Sequence, residues 1–227
     1  MNSLVRANAL SKTYKLGKTE VPALHDLTLG IEEGEFTSIS GPSGSGKTTL
    51  LNILGLLDSP TTGSVFLEGA EVKYNGLTNL HRVRLEKLGF IFQTFNLIPV
   101  LTAYENVEYP LLLTKKSPTV RRTAVERALK DVKLWDHRDH KPNELSGGQR
   151  QRVAIARALV NSPKIVLADE PTANIDSVTA SEILDLMRTL NEEEKVTFLF
   201  STHDPLVLQY ARRIVKLHDG VLTNGQH

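Results

Sequence analysis

Eight residues from position 41 onward have the types and spacing of a phosphate-binding loop. They match the pattern G-x-x-x-x-G-K-[ST] and read Gly41, Pro42, Ser43, Gly44, Ser45, Gly46, Lys47 and Thr48. Glycines allow tight turns and positive φ, so several backbone N–H groups can converge on one anion. Lys47 would place a positive charge near the β- and γ-phosphates, and the Thr48 hydroxyl would ligate Mg²⁺. The alternative is a glycine-rich turn with no ligand.

The segments beside this loop favour the first interpretation. Residues 36–40 read FTSIS, which is typical of a strand, and residues 49–54 read TLLNIL, which is typical of the first turns of a helix. A helix that begins at the loop directs its N-terminal N–H groups, and the positive end of its dipole, toward a bound phosphate. The junction therefore predicts a nucleoside-triphosphate site.

An acidic pair after a short apolar run is the second candidate site. Residues 165–168 read IVLA and are followed at once by Asp169 and Glu170. The run predicts a buried strand, and the carboxyl end of such a strand is where an open α/β sheet places its ligand. Asp169 could hold Mg²⁺, and Glu170 could orient or deprotonate the water that attacks the γ-phosphate. The alternative is a solvated Asp-Glu pair, which is common where no phosphate loop accompanies it.

A second helix start could also face a phosphate. The segment Leu145 to Gln149 reads LSGGQ, and a helical pattern rich in Arg and Ala follows it over residues 150–160. Serine at the N-cap with two glycines after it leaves a helix N-terminus open to an anion. Because one chain needs only one cradle for a γ-phosphate, a partner molecule is expected to supply this nucleotide. The alternative is a capped helix with a glycine turn.

Size and composition limit the classes of function. The chain has 227 residues, a net charge of +1 and no cysteine, so disulfides and thiolate metal sites are excluded and no charge argument favours nucleic acid. No apolar run approaches the roughly 20 residues that span a bilayer. The N-terminal residues show no apolar core of a signal peptide. We expect a cytosolic protein whose role at a membrane, if it has one, depends on a partner.

The pattern of apolar residues predicts one α/β domain with a helical insertion. Strands are expected at 4–10, 27–31, 36–40, 65–68, 89–92, 165–168, 196–201 and 214–217. Helices are expected near 46–57, 78–87, 102–113, 118–131, 147–160, 178–191 and 204–212. No strand signal interrupts residues 102–160, and residues 223–227 are expected to be frayed.

Together the motifs resemble those of the ATP-binding-cassette (ABC) ATPases, whose signature is LSGGQ. The likeness extends from about Tyr14 to His203, with the motifs in the family's order. The resemblance implies a P-loop NTPase fold with a mostly parallel core sheet, an antiparallel β subdomain and an inserted α-helical subdomain. It implies a single domain over 1–227, in which about 1–92 and 161–227 form the α/β core and about 93–160 the helical part.

The resemblance also implies how ATP and Mg²⁺ are held. Two copies form a homodimer that clamps two ATP molecules head to tail. The phosphate loop extends to Thr49, and Thr48, Asp169 and Gln93 reach Mg²⁺. Residues of one copy that face the ATP of the other are Ser146, Gly147, Gly148 and Gln149.

Single residues receive roles from the same resemblance. Glu170 matches the family's catalytic base, and His203 matches the histidine that senses the γ-phosphate. Tyr14 matches the aromatic residue that stacks on adenine, although a half-buried structural tyrosine is the alternative. Asp176 matches the loop that communicates across the dimer. In that loop Ala173 and Ile175 stand where Gly and Leu are commoner in the family.

A further segment carries more apolar residues than hydrolysis requires. Residues 92–99 read FQTFNLIP and residues 101–107 read LTAYENV, in what should be a loop beside the helical insertion. Exposed apolar stretches of this kind are typical of docking surfaces. The alternative is packing of the insertion against the core. The sequence of these two stretches is similar to that of the lipoprotein-releasing and macrolide-exporting (LolD- and MacB-like) branch of the family.

This branch resemblance implies export or extraction of a substrate by a membrane permease that has an extracytoplasmic domain. The ATPase would lie at the cytoplasmic face of the inner membrane, would touch the membrane only through the permease, and would bind no nucleic acid. The alternative is the ATPase of a mechanotransmission, cell-division or peptide-resistance complex that translocates nothing. The residues of the ATPase do not determine the substrate, because ATPases of this kind serve many transport systems.

Overall fold

The computed structural model describes residues 3–74 and 79–223 of the chain. The strands are β1 Val5–Leu16, β2 Thr19–Ile31, β3 Phe36–Ser40, β4 Thr62–Leu67, β5 Ala70–Glu71, β6 Leu88–Ile91, β7 Ile165–Asp169, β8 Thr197–Thr202, β9 Arg213–His218 and β10 Val221–Thr223. The helices are α1 Lys47–Leu54, α2 Leu80–Lys87, α3 Ala103–Leu112, α4 Pro118–Asp131, α5 Gly147–Leu159, α6 Ser177–Glu194 and α7 Pro205–Tyr210.

The larger sheet has six strands in the order β10-β9-β3-β8-β7-β6. All of its pairings are parallel except that of β10 with β9. The middle strands β3, β7 and β8 are buried almost throughout, as expected of parallel strands that are covered on both faces. A second, four-stranded sheet in the order β2-β1-β4-β5 is antiparallel. The predicted α/β fold, with its parallel core sheet and antiparallel part, is confirmed.

Helices close both faces of the core sheet. On one face, Leu50 and Ile53 of α1 are fully buried in a cluster with residues of both sheets, so α1 joins the antiparallel sheet to the core. On the other face, Ile183 and Leu184 of α6 pack with Phe198 and other residues of the core sheet. Burial of this extent is the main source of stability in a domain of this size.

The register of the core strands brings three chain segments to one edge. Ser40 at the end of β3 pairs with Thr202 of β8, and Asp169 at the end of β7 pairs with Ser201 of β8. Because these strands are parallel, the residues that follow them emerge side by side. The loop before α1, the acidic pair and the segment after Thr202 therefore share the carboxyl edge of the sheet.

Between Ile91 and Ile165, all of which the structure describes, the chain forms helices and turns but no strand. The helix starts were visible in the sequence: Ser117 caps α4 with Pro118 in its first turn, and Thr102 caps α3 with Glu105. The buried side chain of Asn106 bonds the backbone of the preceding loop, including Ile98 N at 2.8 Å. The predicted helical insertion is confirmed.

Several elements differ from the prediction. The strands β1 and β2 are 12 and 13 residues long because they form an extended hairpin. The outer half of β2 is exposed and carries no alternating pattern, so it gave no strand signal. The short strands β5 and β10 were also missed. The predicted frayed end began at Thr223, which instead pairs with Lys216 as the last residue of β10, so the prediction is wrong there. Residues 224–227 and the predicted starting point of α2, residue 78, lie outside the described residues.

Candidate functional site

The phosphate-type loop lies between β3 and α1, and its glycines are required by its shape. Gly44 and Gly46 have φ of 80° and 100°, in the left-handed region that favours glycine. A Cβ on Gly46 would lie 2.5 Å from the carbonyl oxygen of Ala23, and one on Gly41 would lie 2.0 Å from that of Leu217. The loop is therefore packed from behind by β2 and β9, and only small residues permit that contact.

Polar groups of the loop are arranged as an anion site would need them. Lys47 is only 7% exposed, and its Nζ donates to the carbonyl oxygens of Gly41 at 2.7 Å and Pro42 at 2.9 Å. The Ser45 hydroxyl is buried and has no hydrogen-bond partner among the described residues. That hydroxyl lies 2.7 Å from the position that a Cβ on Gly41 would take, on the side of the loop packed against β9, so an anion would meet Lys47 and the backbone N–H groups. The loop therefore fits a triphosphate.

Two oxygen ligands for a divalent cation meet at the start of α1. Thr48 Oγ1 lies 3.1 Å from Asp169 Oδ2 and 3.4 Å from Asp169 Oδ1. A hydroxyl and a carboxylate are ligands that Mg²⁺ prefers. These two residues are 121 positions apart in the chain, and the sheet register joins them. Both were predicted as metal ligands.

Glu170 is held firmly in an unusual conformation. Its φ is 45°, and its N–H donates to the carbonyl of Ser201 at 2.8 Å. Its carboxylate accepts a hydrogen bond from Thr202 Oγ1 at 2.8 Å and lies 2.6 Å from His203 Nδ1. Left-handed backbone in a residue other than glycine persists only where the surroundings fix it, and such strain is often found at reactive sites. The side chain of His203 is largely exposed.

A cavity of about 400 Å³ collects these groups. It is lined by loop residues 43, 44 and 46–49, by Gln93, Asp169, Glu170 and His203, and by Ser201 and the β2 residues Val21, Pro22 and Ala23. Most of the predicted phosphate, metal and catalytic residues thus share one space, whereas Gly41, Pro42 and Ser45 of the loop do not line it. The β2 residues were not predicted, since their contribution depends on the hairpin, which had no signal in the sequence.

Tyr14 does not line the cavity that the described residues form. Its hydroxyl lies 3.0 Å from Asp58 Oδ2 and 3.4 Å from Thr49 Oγ1, and the Lys12 Nζ lies 4.8 Å from the centre of its ring. These contacts fix the ring beside the N-terminal turn of α1. The stacking of Tyr14 on adenine stays a prediction.

The LSGGQ segment is placed elsewhere. Ser146 caps α5: its hydroxyl accepts from Gln149 N at 3.2 Å, and Gln149 Oε1 accepts from Ser146 N at 2.9 Å. None of the four residues Ser146 to Gln149 lines the cavity that the described chain forms around Lys47. Gly148 instead meets α6, because a Cβ there would lie 2.2 Å from Thr179 Cγ2.

The loop that contains Asp176 begins α6 and also contacts the backbone of Gln93. Asp176 caps α6 by accepting from Thr179 N at 3.0 Å, and this bond lowers the pKa of the Asp176 carboxyl. Earlier in the same loop, Asn174 Nδ2 donates to the backbone carbonyl of Gln93 at 2.6 Å. Asn174 was not singled out from the sequence, and its contact could not be found there, since 81 positions separate the two residues.

A family model described as ABC transporter matches residues 24–173, about two thirds of the chain. The chain belongs to the ABC transporter family. This ABC ATPase is 48% identical to MJ0796, an ABC transporter ATP-binding protein of Methanocaldococcus jannaschii, over 96% of its own length and 94% of the relative's. It is 47% identical to the macrolide export ATP-binding/permease protein MacB of Syntrophobacter fumaroxidans, of which it spans 31%.

Solved structures agree with the ABC ATPase fold. A dimeric structure of MJ0796 in a post-hydrolysis state, bound to ADP and Pi, matches with a TM-score of 0.87 and 47% identity. The match covers 98% of this chain and 97% of that one. As a member of this family the chain binds and hydrolyses ATP. No helix within residues 3–74 and 79–223 of the ABC ATPase is long and apolar enough to cross a bilayer.

Proposed function

We propose that this ABC ATPase works as a homodimer bound to a membrane permease and powers export or extraction of the permease's substrate. The observation that carries the proposal is the division of the motifs. The cavity at the sheet edge contains Lys47, Asp169, Glu170 and His203, whereas Ser146 lies outside it. A second copy is therefore needed to bring a signature segment to the nucleotide. The dimeric structures of MJ0796 and the name of MacB support this arrangement.

ATP would be held mainly by the loop. The backbone N–H groups of residues 43–49 would bind its phosphates, with Gly41 and Pro42 forming the base of the loop. Lys47 would turn from its two carbonyl acceptors to the β- and γ-phosphates, where a charged acceptor makes a stronger bond. Tyr14 would contact the adenine. Mg²⁺ held by Thr48, Asp169 and Gln93 would neutralise charge that develops on the phosphates.

Hydrolysis would depend on Glu170. Its carboxylate would accept a hydrogen bond from the attacking water and take up the proton as the water oxygen bonds to the γ-phosphorus. The bond from that phosphorus to the β–γ bridging oxygen breaks, and ADP leaves. Thr202 fixes one carboxylate oxygen and His203 lies beside the other, so the base is oriented before ATP arrives. Preorganisation of this kind lowers the barrier because little rearrangement is left for the transition state.

The partner copy would complete the site. Its Ser146, Gly147, Gly148 and Gln149 would face the γ-phosphate with the N-terminal N–H groups of α5. Asp176 would lie near the dimer contact, where it could report closure to the opposite site. Closure and reopening of the dimer would then follow ATP binding and hydrolysis.

The permease would dock on the helical part. An apolar groove of about 410 Å³ lies between α2, β6, the end of α3 and α5, and Leu113 at its rim is 67% exposed. This groove adjoins the predicted docking segment 92–107. We assign residues 1–227 to one domain, in which about 93–160 move against the α/β core formed by about 1–92 and 161–227. The chain would lie at the cytoplasmic face of the inner membrane, attached through a permease with an extracytoplasmic domain, and would bind no nucleic acid.

Glu170→Gln tests the proposal directly. The amide cannot accept the proton, so ATP hydrolysis should fall by about a hundredfold or more, while ATP binding persists. Because hydrolysis no longer reopens the dimer, size-exclusion chromatography with ATP and Mg²⁺ should show a stable dimer. Glu182→Gln, an exposed change on α6, is the matched control and should behave as wild type. Normal turnover in Glu170→Gln, or a monomer with ATP bound, would refute the proposal.

A further inference from the structure

The turn that follows Gln93 is strained. Phe95 and Asn96 have φ of 60° and 49°, so two successive residues other than glycine occupy the left-handed region. This conformation is unfavourable for a residue with a Cβ, and most of all for a bulky one such as Phe. Its own hydrogen bonds are local: Phe95 N donates to Phe92 O, Asn96 N to Thr94 O, and Thr94 Oγ1 to Asn96 Oδ1. Its shape therefore depends on groups from elsewhere in the chain.

Two arginines of the signature helix α5 contact the turn: the Arg150 guanidinium lies 5.4 Å from the centre of the Phe95 ring, and Arg157 makes the hydrogen bonds. Arg157 donates from Nη2 to the carbonyl oxygen of Phe95 at 2.7 Å and from Nη1 to that of Asn96 at 2.5 Å. The planar guanidinium presents two donors in a fixed geometry, which suits two successive carbonyls. These carbonyls belong to the two left-handed residues, so Arg157 stabilises the strained part of the turn.

The electrostatic setting of Arg157 is unusual for a structural arginine. No carboxylate lies within ion-pair distance of it in the part of the chain that the structure describes. Burial lowers the pKa of its guanidinium, although the group stays charged because the ordinary value is so high. The positive charge is compensated by backbone carbonyl dipoles alone. A partly buried charge without a counter-ion is costly, and proteins retain one where its bonds serve a purpose.

The position of Arg157 connects three places. It lines the apolar groove together with Phe92, Leu113 and other residues. It bonds the turn that carries Gln93, whose own carbonyl is held on the other side by Asn174. It also lies 11 residues, or about 16 Å along a rigid helix, from Ser146 at the start of α5.

We propose that Arg157 is a positioning residue, which holds the turn 93–96 so that Gln93 stays at the cavity that Asp169 also lines, and which joins that turn to the signature helix. The inference rests on the proposed role of Gln93 at the metal. A permease element seated in the groove would contact Arg157 and the turn together. Movement of the groove would then reach Gln93 and Ser146 through one side chain.

The test compares Arg157→Met and Arg157→Lys with wild type in the full-length chain. Methionine keeps the apolar stem and removes both hydrogen bonds, whereas lysine keeps the charge without the planar pair of donors. The matched control is Arg152→Lys, also on α5, where the wild-type guanidinium bonds Glu182 and the carbonyl of Val132. Circular dichroism and thermal melting establish that each variant is folded.

Measurements of hydrolysis, of ATP binding and of hydrogen exchange distinguish positioning from general support of the fold. For Arg157→Met we expect kcat to fall about tenfold and the Mg²⁺ concentration for half-maximal hydrolysis to rise about tenfold. ATP binding measured in EDTA should change by less than about twofold, since the phosphate loop is intact. Hydrogen exchange should accelerate at amides 93–97 and stay unchanged in α5 and α6. Arg157→Lys should recover part of each effect, and Arg152→Lys should match wild type.

Either of two results would overturn the proposal. The first is wild-type Mg²⁺ dependence together with wild-type exchange at 93–97 in Arg157→Met. The second is an equal loss in Arg152→Lys, which would mean that any change on α5 has this effect. If Arg157→Met does not fold, Arg157→Lys carries the same comparisons. If the wild-type chain itself shows no ATPase activity, the proposed function fails, and the exchange measurement still decides the role of Arg157.

Discussion

Lys47 makes its hydrogen bonds to the carbonyls of its own loop rather than to an acidic side chain. Gly41 O and Pro42 O are neutral acceptors, so a triphosphate can compete for the ammonium without separating an ion pair. These bonds also keep the side chain pointing along the loop, which reduces the entropy lost on binding. Lys47 can therefore exchange its two carbonyl acceptors for phosphate oxygens at low cost in free energy.

Lys47→Ala should weaken ATP binding by about a hundredfold. The loss corresponds to roughly 3 kcal/mol, the size expected when hydrogen bonds from a charged donor to phosphate are removed. Isothermal titration calorimetry with ATP measures the change. Lys164→Ala removes an exposed lysine that lies 3.5 Å from Glu33 and should leave affinity unchanged. Equal affinity in Lys47→Ala and wild type would exclude the loop as the nucleotide site.

At the residue scale, the sequence predicted the site residues that local patterns mark. The loop glycines, Asp169 and Glu170 stand at strand ends or helix starts, which such patterns identify, whereas His203 was assigned only through the family resemblance. Asn174 and Arg157 could not be found in this way, because their partners lie 81 and about 61 positions away. Their donors are directed at backbone carbonyls, which carry no sequence signal.

Among the elements, β1 and the end of α1 are joined by a polar cluster. Lys12 is 8% exposed, and its Nζ lies 2.6 Å from Asp58 Oδ1 and 2.7 Å from the carbonyl of Ser59. Burial raises the pKa of Asp58, but hydrogen bonds from Lys12, from the backbone N–H of Ser59 and from Tyr14 lower it by more, and the net shift is downward. The cluster ties the antiparallel sheet to the helix that carries the phosphate loop.

Asp58→Asn should therefore destabilise the fold in a pH-dependent way. Since the folded pKa lies below the ordinary 3.8, the ionised carboxylate contributes its full stabilisation above that pH and loses it as the pH falls further. We expect a loss of about 1 kcal/mol at pH 7, allowing for partial solvent screening, and a smaller loss near pH 3. Thermal melting at both pH values measures it. Glu20→Gln, in an exposed pair, should change neither; a difference between Asp58→Asn and wild type that is constant with pH would contradict the argument.

Element boundaries were predictable where a capping residue marks them. Ser117 before Pro118, Ser146 before the glycines and Asp204 before Pro205 all cap helices that the periodicity had placed. The outer hairpin was not predictable, since exposed strands that pair only with each other need no apolar alternation. The same reasoning explains why the short strands β5 and β10 were missed.

At the scale of the whole molecule, the largest exposed apolar side chains are not spread evenly. Tyr109, Leu112 and Leu113 cluster at the end of α3, with exposed fractions of 46%, 51% and 67%. They extend the proposed docking surface beyond the segment that the sequence indicated. The periodicity of α3 showed an apolar helix, but only the packed structure shows which of its residues remain uncovered.

Leu113→Glu should separate permease coupling from hydrolysis. A carboxylate at the rim of an apolar groove disfavours a buried contact, because the charge would lose its hydration. The basal ATPase of the isolated chain should stay within about twofold of wild type, while co-purification with a permease that binds the wild-type chain should be lost. Val120→Glu places the same charge on an exposed apolar position of α4 and should retain the permease. If Leu113→Glu still co-purified with the permease, this groove would be excluded as the docking surface.

The close approach of Gly148 to α6 bears on how mutations in the signature are interpreted. Any side chain at position 148 would have to push Thr179 aside, while Gly147 has its nearest neighbour, Ile175, 3.3 Å from a hypothetical Cβ. Gly148 therefore allows α5 to approach the Thr179 side chain of α6 more closely than a residue with a Cβ would. Loss of activity in a variant at position 148 could therefore result from a displaced helix or from a lost phosphate contact. Alanine at position 147 is the better test of nucleotide recognition, because it disturbs the packing less.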